Sequence, residues 1–487
     1  MYKLNQNITP LLEAMEAYAN RNVVSFDVPG HKRGKGVKIL TQYFGEQLMR
    51  LDTNALPALD HVGNPTGVIK EAQALLADAY GADEAFFIAN GSTSACHAML
   101  MSVICPGDKI LMPKNSHKSA LNGLILCGGI PIYMQPEICM KEGLAKNVSV
   151  HEVRNQLDAH PDVRAVFVLN PTYFGHVSDL KQISRLCHER NVLLLVDEAH
   201  GAHFPFYQDM PMSAMASHAD MSCISLHKTG GALTQASALV VKDRRVEVNR
   251  VKQVVNLLQS TSVSYLLMGS LDGARYNLVK NGDSQLAKAV ALSKIARRSL
   301  SQIKGISVIE EEKFFDPTKL VINVSKLSLT GFQVYELLWR DYDIQLELSE
   351  TRHVLAIISL GDCETGIKRL VQAMKEIAQK YPGHEHEEPL LWGELVPQDV
   401  QVRMSPREAY FSNKELIVCQ DAVGRIAGES IMAYPPGIPL ISPGELITSE
   451  TLLILEGLKA SEALIVDHTD PELERILVVK NREETRQ

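Results

Sequence analysis

The sequence predicts an α/β protein built around a mostly parallel sheet, and three observations support this prediction. Its 487 residues are 45% hydrophobic and 22% charged, a composition typical of globular proteins with a large core. From about residue 64, short β-branched and leucine runs alternate with segments of helical spacing. Several of these runs end in polar residues, and ligands of parallel α/β sheets bind at the carboxyl ends of the strands.

The composition argues against several classes of protein. A net charge of −8 is unfavourable for a nucleic-acid-binding surface. No apolar run approaches the roughly 20 residues of a transmembrane helix, and no apolar secretory segment follows Met1. The eight cysteines form no CxxC pair, as is usual in a reducing compartment. We therefore expect a cytoplasmic protein without nucleic-acid or membrane partners.

The N-terminal part begins with a predicted helix over residues 10–20, whose first residue is proline. Residues 23–26 predict a strand, which runs into the basic glycine loop Pro29–Gly36. The glycine spacing of this loop differs from that of a P-loop, and Gly36 stands where Ser or Thr is required. We therefore predict no nucleotide-binding loop here.

The central part predicts alternating helices and strands. Helices are predicted over residues 67–80 and 94–103, and long connecting helices over 271–300. The predicted strands are 85–88, 109–112, 131–133, 165–169, 192–196, 221–225 and 238–241.

The remaining chain predicts a smaller α/β unit and a C-terminal segment. The smaller unit has strands at 320–324 and 354–359 and a helix at 366–380, followed by a polar hinge at His384–Glu388. The prolines and glycines of residues 434–445 predict a stiff loop. We divide the chain into an N-terminal segment with the large domain (1–275), a small α/β domain (276–383) and a C-terminal domain (390–487).

Three motifs at predicted strand ends could carry chemistry. In Asn90–Ser94, a glycine and hydroxyls at a helix N-terminus could bind phosphate, or simply cap the helix. In Val196–Gly201, Asp197 ends a buried strand and needs a partner, either a cofactor's ring nitrogen or a structural salt bridge. Lys228 lies between a strand and a small-residue loop. Burial there would lower its pKa and suit it to attack a carbonyl, unless it simply reaches solvent.

The order of these motifs matches the needs of pyridoxal 5′-phosphate (PLP). Its phosphate requires a helix N-terminus, its ring nitrogen a carboxylate and its aldehyde a lysine. His117 also follows a predicted strand and could lie against the cofactor ring.

Metal ligands are the alternative use of the histidines. His200 and His203 with Asp197, or His384 with His386, lack a recognised ligand spacing. We predict no metal site.

With these residues in place, the sequence resembles the ornithine/lysine/arginine decarboxylase family within fold type I of the PLP enzymes. It looks like the short form, which lacks the N-terminal wing domain, and is most similar to the biosynthetic arginine decarboxylases. The motifs that carry the resemblance are Pro29–Lys32, Asn170–Gly175, Val196–Gly201, Ser225–Lys228, Thr261–Tyr265 and the C-terminal Tyr434–Pro439.

The resemblance implies a role for each site residue. Lys228 would hold PLP covalently, Asp197 would keep the ring nitrogen protonated and His117 would stack on the ring. The minimum assembly implied is a homodimer with its active site at the subunit interface, where Thr261 and Ser262 would reach the partner's cofactor. The remaining cofactor-binding positions, mainly around the phosphate, would be Gly91, Ser92, Thr93, Ala199, His200, Ser225 and His227.

The implied reaction is decarboxylation of a basic L-amino acid, with arginine to agmatine as first choice and a role in polyamine biosynthesis. Lysine and ornithine are the alternative substrates. Glu429, and more weakly Asp27, would bind the distal cation, and either His227 or Lys228 would protonate Cα. An aminotransferase is disfavoured because no arginine is recognisably placed for the substrate carboxylate, although Arg275 and Arg403 stay open. Retention of Lys228 and Asp197 argues against a non-catalytic regulator.

Overall fold

The computed structural model describes residues 2–139, 141–309, 314–383, 400–433, 437–460 and 464–481. The predicted hinge at His384–Glu388 lies outside these residues. The helices are α1 Pro10–Asn20, α2 Lys38–Phe44, α3 Glu46–Leu51, α4 Val68–Tyr80, α5 Gly91–Val103, α6 Lys118–Cys127, α7 Val150–Ala159, α8 Leu180–Glu189, α9 Leu226–Thr229, α10 Val248–Leu258, α11 Tyr265–Leu300, α12 Gly331–Tyr342, α13 Glu364–Lys380, α14 Pro406–Phe411 and α15 Ser449–Ala460.

The strands are β1 Glu84–Ile88, β2 Lys109–Pro113, β3 Ile130–Met134, β4 Ile138–Cys139, β5 Leu144–Ala145, β6 Val163–Leu169, β7 Leu193–Asp197, β8 Met221–Ile224, β9 Ser237–Val241, β10 Ser307–Val308, β11 Lys319–Asn323, β12 Leu348–Ser349, β13 His353–Ile357, β14 Lys414–Val418, β15 Ile431–Ala433, β16 Ile438–Ile441, β17 Ile465–Val466 and β18 Arg475–Val479. The chain divides into two compact units, each of them discontinuous in sequence.

The first unit comprises residues 1–102 and 195–284. Its strands follow the order β1-β9-β8-β7. The pair β7–β8 is parallel and places Asp197 beside Cys223, whereas β9 is antiparallel to both β1 and β8. All five residues of β9 are buried. The carboxyl ends of β7 and β8 therefore deliver the two motifs that contain Asp197 and Lys228 to neighbouring positions.

Helix α1 lies against α11 at two glycines of the longer helix. A Cβ atom built on Gly269 would lie 2.8 Å from Met15 Sδ, and one on Gly273 would lie 2.9 Å from Leu12 Cδ1. Glycine within a helix costs about 1 kcal/mol relative to alanine. Here the missing side chains allow the two helices to approach closely. The predicted long helices over 271–300 form one continuous helix, which begins at Tyr265.

A buried arginine attaches the start of the chain to α11. The Arg275 guanidinium donates to Gln6 O at 3.0 Å and Ile8 O at 2.6 Å, and it pairs with Asp272 at 2.6 Å. Asp272 Oδ2 accepts the Leu11 N–H at 3.0 Å. Both side chains of the ion pair are fully buried, so residues 6–11 belong to the folded first unit.

The second unit comprises residues 103–194 and 285–487. Three of its strands lie side by side in the order β6-β2-β3, and β2 is parallel to both of its neighbours. Helices α6, α7 and α8 connect or follow these strands in the chain. Such strand–helix alternation is typical of a parallel sheet.

The predicted smaller α/β unit forms an antiparallel sheet of order β10-β11-β13-β12. Its buried face packs with α12, α13 and the end of α11 around residues such as Leu320, Val354 and Leu370. The capping box between Thr330 and Gln333 satisfies backbone N–H groups at the start of α12.

The C-terminal part contains two small sheets, β14-β18 and β16-β15-β17. The prediction of a stiff loop over 434–445 is wrong for Ile438–Ile441, which pairs with β15. Pro439 is tolerated because β16 lies at a sheet edge, where proline's missing N–H need not break a ladder. Residues 434–436 lie outside the described part of the chain.

Four other local predictions need correction. Residues 23–26 form no strand, and Val24 and Phe26 are exposed at 78% and 94%. Helix α5 begins at Gly91 rather than Ser94, so Ser92 and Thr93 lie in its first turn. Strand β7 extends to Asp197. Strand β8 ends at Ile224, after which Ser225 occupies the position before the short helix α9 without a capping hydrogen bond from its side chain.

The predicted fold class is confirmed as α/β with large, mostly parallel strand arrangements and further small sheets. The division at 1–275, 276–383 and 390–487 stays a prediction. Within the described residues, no helix is long and apolar enough to cross a membrane.

Candidate active site

One part of the candidate site in the first unit is the junction between β1 and α5. Gly91 adopts a φ of +77°, and its N–H donates to Gln235 O at 3.0 Å. Ser92 and Thr93 follow in the first turn, where N–H groups have no partner within the helix. Such a turn combines free donors with the positive end of the helix dipole, so it suits an anionic group.

Asp197 ends β7 in a buried environment, with 4% of its surface exposed. Its Oδ1 accepts the Ala199 N–H at 3.1 Å and the thiol of Cys223 at 3.4 Å. These contacts orient the carboxylate from both neighbouring segments. The sequence predicted Asp197 but not the contribution of Cys223, which only the register of β7 and β8 reveals.

Lys228 belongs to the one-turn helix α9 rather than to a loop. Its half-buried side chain places Nζ 3.1 Å from Nε2 of His200, and the His200 side chain is almost completely buried. The structure therefore brings Lys228 together with the segment that contains Asp197 and Ala199.

Two buried hydroxyl groups near Lys228 indicate that this site suits a phosphate-bearing cofactor. Within the described part of the chain, Ser225 Oγ and Thr229 Oγ1 are buried without a hydrogen-bond partner. A buried hydroxyl without a partner is unfavourable, and an anionic oxygen would satisfy it. The residues fit such a group. Ser225 was predicted, whereas Thr229 was not, because its place in a four-residue helix leaves no periodic signal.

His227 is half-buried beside Lys228. Its Nδ1 lies 3.1 Å from Ala236 O, and because a carbonyl only accepts, Nδ1 carries the hydrogen. Burial lowers the pKa of His227, and the charge of Lys228 lowers it further. The neutral ring therefore presents an unprotonated Nε2 at neutral pH.

Three more predicted residues are exposed in the first unit. Thr261 and Ser262 lie in the segment between α10 and α11. Asp27 accepts a hydrogen bond from Ser25, and this bond lowers the pKa of its carboxyl. The described contacts do not join these three residues to Lys228.

His117 and Glu429 belong to the second unit. His117 caps α6, and its Nδ1 accepts the Ser119 N–H at 3.2 Å. Glu429 is 7% exposed, and its oxygens accept the N–H groups of Leu477 and Thr469 at 2.6 and 2.7 Å. Glu429 is thus a buried carboxylate and not a surface glutamate.

Arg275 does not bind a substrate carboxylate, because its guanidinium is fully buried against residues 6–8 and Asp272. Arg403, the other arginine left open by the sequence, is exposed and donates to Gln401 at 2.6 Å.

Glu198 is a buried carboxyl that sequence reasoning missed. It is 1% exposed, and it accepts the Ala214 N–H at 2.7 Å and the Ser222 hydroxyl at 3.3 Å. Burial, reinforced by the adjacent charge of Asp197, raises the pKa of Glu198 from 4.5 to about 8. At neutral pH Glu198 is therefore mostly protonated.

Replacing Glu198 with glutamine should affect the free energy of unfolding more favourably at pH 8 than at pH 5.5, when the variant is compared with wild type at the same pH. Between pH 4.5 and about 8 the folded state retains a proton that the unfolded chain has released, so wild-type stability falls as pH rises. The loss is about 1.4 kcal/mol per pH unit inside this window. Glutamine lacks this titration and can still accept the Ala214 N–H. Free energies of unfolding at the two pH values measure the difference.

The exposed Glu84 provides the matched control, since Glu84→Gln should leave the pH dependence unchanged. Equal pH slopes for wild type and Glu198→Gln would show that Glu198 ionises normally.

In the ranges that the structure describes, no group of three or more His, Cys, Asp or Glu side chains is arranged to hold a metal ion.

Known proteins match the chain over nearly its whole length. The family model described as Orn/Lys/Arg decarboxylase, major domain, matches residues 9–313, and the model of its C-terminal domain matches residues 391–468. The arginine decarboxylase of Halalkalibacterium halodurans is 38% identical over 99% of both chains. The arginine decarboxylase of Bacillus subtilis is 39% identical over 92% of this chain and 93% of its own.

A solved structure shows the same fold. The lysine decarboxylase LdcF of Francisella novicida superimposes with a TM-score of 0.83 at 19% identity, covering 97% of this chain and 81% of its own.

Proposed function

The chain belongs to the Orn/Lys/Arg decarboxylase family, and we propose that it uses PLP to decarboxylate a basic L-amino acid, with arginine as the preferred substrate. The observation that carries the proposal is the contact between Lys228 Nζ and His200, which places a half-buried amine beside the Asp197 motif. The similarity to two arginine decarboxylases supports the choice of substrate.

The residues of the first unit supply what PLP requires. Lys228 would hold the cofactor through its amine, and the carboxylate of Asp197 would keep a proton on the ring nitrogen. Ala199 and His200 would lie with Asp197 around the ring. His117, which does not belong to the first unit, stays the residue proposed to stack on the ring because the resemblance to the family implies this role. When bound, PLP accepts the electron pair that remains on Cα after CO₂ departs.

The phosphate would be held by hydrogen-bond donors of α5 and α9. The first turn of α5 contributes Gly91, Ser92 and Thr93, and α9 contributes the hydroxyl of Ser225. His227 would contribute Nε2 to the phosphate when protonated. Thr229 has the same kind of unpartnered hydroxyl as Ser225, so we add it to the proposed set.

Protonation of Cα completes the reaction. His227 Nε2 and Lys228 Nζ are the two candidate donors. The lowered pKa of His227 makes its protonated ring a stronger acid, but it also keeps most of the ring neutral at neutral pH. A proton on Nε2 can serve either the phosphate or Cα, so Lys228 and His227 both stay candidate donors.

The distal cation of the substrate requires a carboxylate, and a guanidinium can be held by two parallel hydrogen bonds. Glu429 and Asp27 stay the proposed residues. Glu429 is oriented by two backbone N–H groups, and its oxygens retain further lone pairs. Asp27 is exposed, and the hydrogen bond from Ser25 lowers the pKa of its carboxyl, so it is ionised at neutral pH.

The finer features of the function are also proposals. We place the enzyme in the cytoplasm, in polyamine biosynthesis, as a homodimer or higher assembly in which Thr261 and Ser262 reach the partner's site. Both residues are exposed in the single chain, as this role requires. The domain division at residues 275 and 383 is proposed as well.

The substrate is tested by incubating the purified protein and PLP separately with arginine, lysine and ornithine. We expect agmatine and CO₂ from arginine, with kcat/KM at least about 10-fold above that for lysine. Omission of PLP and the variant Lys228→Ala are the controls. Cadaverine from lysine without agmatine from arginine would show that the substrate assignment is wrong.

A further inference from the structure

A buried ion pair joins the loop before α6 to the C-terminal part of the second unit. Lys114 Nζ lies 2.6 Å from Glu445 Oε1 and 2.8 Å from Oε2, and the two side chains are only 1% and 7% exposed. The Ser442 N–H donates to Glu445 Oε2 at 3.1 Å, and the Tyr133 ring centre lies 4.7 Å from the ammonium. Burying two charges is costly unless their geometry is well satisfied, so this pair fixes the loop closely.

The same loop is attached at a second point. We call residues 114–117, between β2 and α6, the His117 loop. At its end, the Lys118 N–H donates to Gly437 O at 3.3 Å. His117 therefore lies between two attachments to the C-terminal family domain, which matches residues 391–468.

The ring of His117 is also oriented locally. Its Nδ1 lies 3.2 Å from Ser119 N and 2.9 Å from Ser119 Oγ. These contacts fix the ring relative to α6, whereas Lys114 and Glu445 fix the backbone from which the ring projects.

We infer that Lys114 and Glu445 are positioning residues, which place His117 for cofactor binding through the His117 loop. The C-terminal domain thereby takes part in holding the cofactor. This inference rests on the proposed function, in which His117 stacks on PLP.

The competing explanation is that the pair only attaches the C-terminal domain. Single replacements cannot separate the two explanations, because either one leaves a buried charge without its partner and destabilises the fold. The double variant Lys114→Met/Glu445→Met removes both charges and keeps similar volume, and such exchanges are often neutral for stability.

The deciding measurements are the dissociation constant of PLP and the visible circular dichroism of the bound cofactor, in the full chain. We expect the double variant to weaken PLP binding by about 3- to 10-fold, the amount that loss of one well-placed ring contact costs in an equilibrium constant. Its dichroism should change in the same direction as that of His117→Ala. Adding His117→Ala to the double variant should cause little further loss, because both changes act through one residue.

Two variants control for charge and for surface effects. Lys114→Arg retains a cation opposite Glu445 and should bind PLP nearly as wild type does. Lys109→Met/Asp162→Asn removes an exposed ion pair at the other end of β2, with Lys109 Nζ and Asp162 Oδ2 2.6 Å apart, and should change neither measurement.

The inference is overturned if the folded double variant binds PLP with wild-type affinity and dichroism while His117→Ala is impaired. It also falls if His117→Ala itself binds PLP normally, although the proposed function would then stand on amine production and Lys228. Failure of the wild-type protein to bind PLP would overturn both. If the double variant does not fold, Glu445→Asp, whose carboxylate is one methylene shorter, should still weaken PLP binding, and unchanged affinity would refute the inference.

Discussion

Replacement of Lys228 with alanine should lower kcat/KM for arginine by at least about 10³-fold, because under the proposed function Lys228 is both the covalent attachment of the cofactor and one candidate proton donor. The half-buried amine beside His200 has no equivalent in the variant. The visible absorption of the covalently held cofactor should disappear as well. Absorbance spectra and amine production, measured on the same preparation, check both expectations.

The exposed Lys70 on α4 gives a matched control for loss of a lysine. Lys70→Ala should retain the absorption band and full activity, and far-ultraviolet dichroism should show that both variants fold. A Lys228→Ala enzyme that still forms agmatine at wild-type rates would remove the chemical basis of the proposed function.

Replacement of Asp197 with asparagine should lower kcat by roughly 10³-fold while PLP stays bound. Asparagine keeps the shape of the side chain, and its oxygen can still accept from Ala199 and Cys223. It lacks the negative charge that would favour a proton on the ring nitrogen in the proposed site, so the cofactor should withdraw electrons less strongly. Single-turnover rates and the PLP dissociation constant together separate this effect from loss of binding.

Asp209→Asn, at an exposed carboxylate of the same unit, is the control for the charge change and should be neutral. A wild-type kcat in Asp197→Asn would mean that Asp197 does not keep the ring nitrogen of the cofactor protonated.

The sequence was sufficient to place Asp197 at a strand end and Lys228 shortly after the next strand, because buried parallel strands give strong apolar runs and their polar endings stand out. It could not show that Lys228 lies on a helix, since one turn has no periodicity. Glu198 was missed for a different reason. Its burial depends on Ala214 and Ser222, which pack there only after folding.

Strand pairing explains two of the errors. Residues 23–26 have strand-like composition, but β structure requires a partner strand, and Phe26 remains exposed. Residues 438–441 have loop-like composition, but they pair with β15 at an edge where Pro439 is acceptable. The presence or absence of a partner strand decided both cases, and the composition of the segment alone does not report it.

The attachment of residues 6–11 to Arg275 and Asp272 has a consequence for how the protein is made. The first unit cannot finish folding when residues 1–102 leave the ribosome, because residues 195–284 of the same unit are still to be translated. At about 5 to 20 residues per second, the intervening residues 103–194 alone delay completion by roughly 5 to 20 s. During this interval the nascent N-terminal segment lacks the guanidinium that will bind Gln6 O and Ile8 O, so we expect it to gain protease resistance only after Arg275 has emerged.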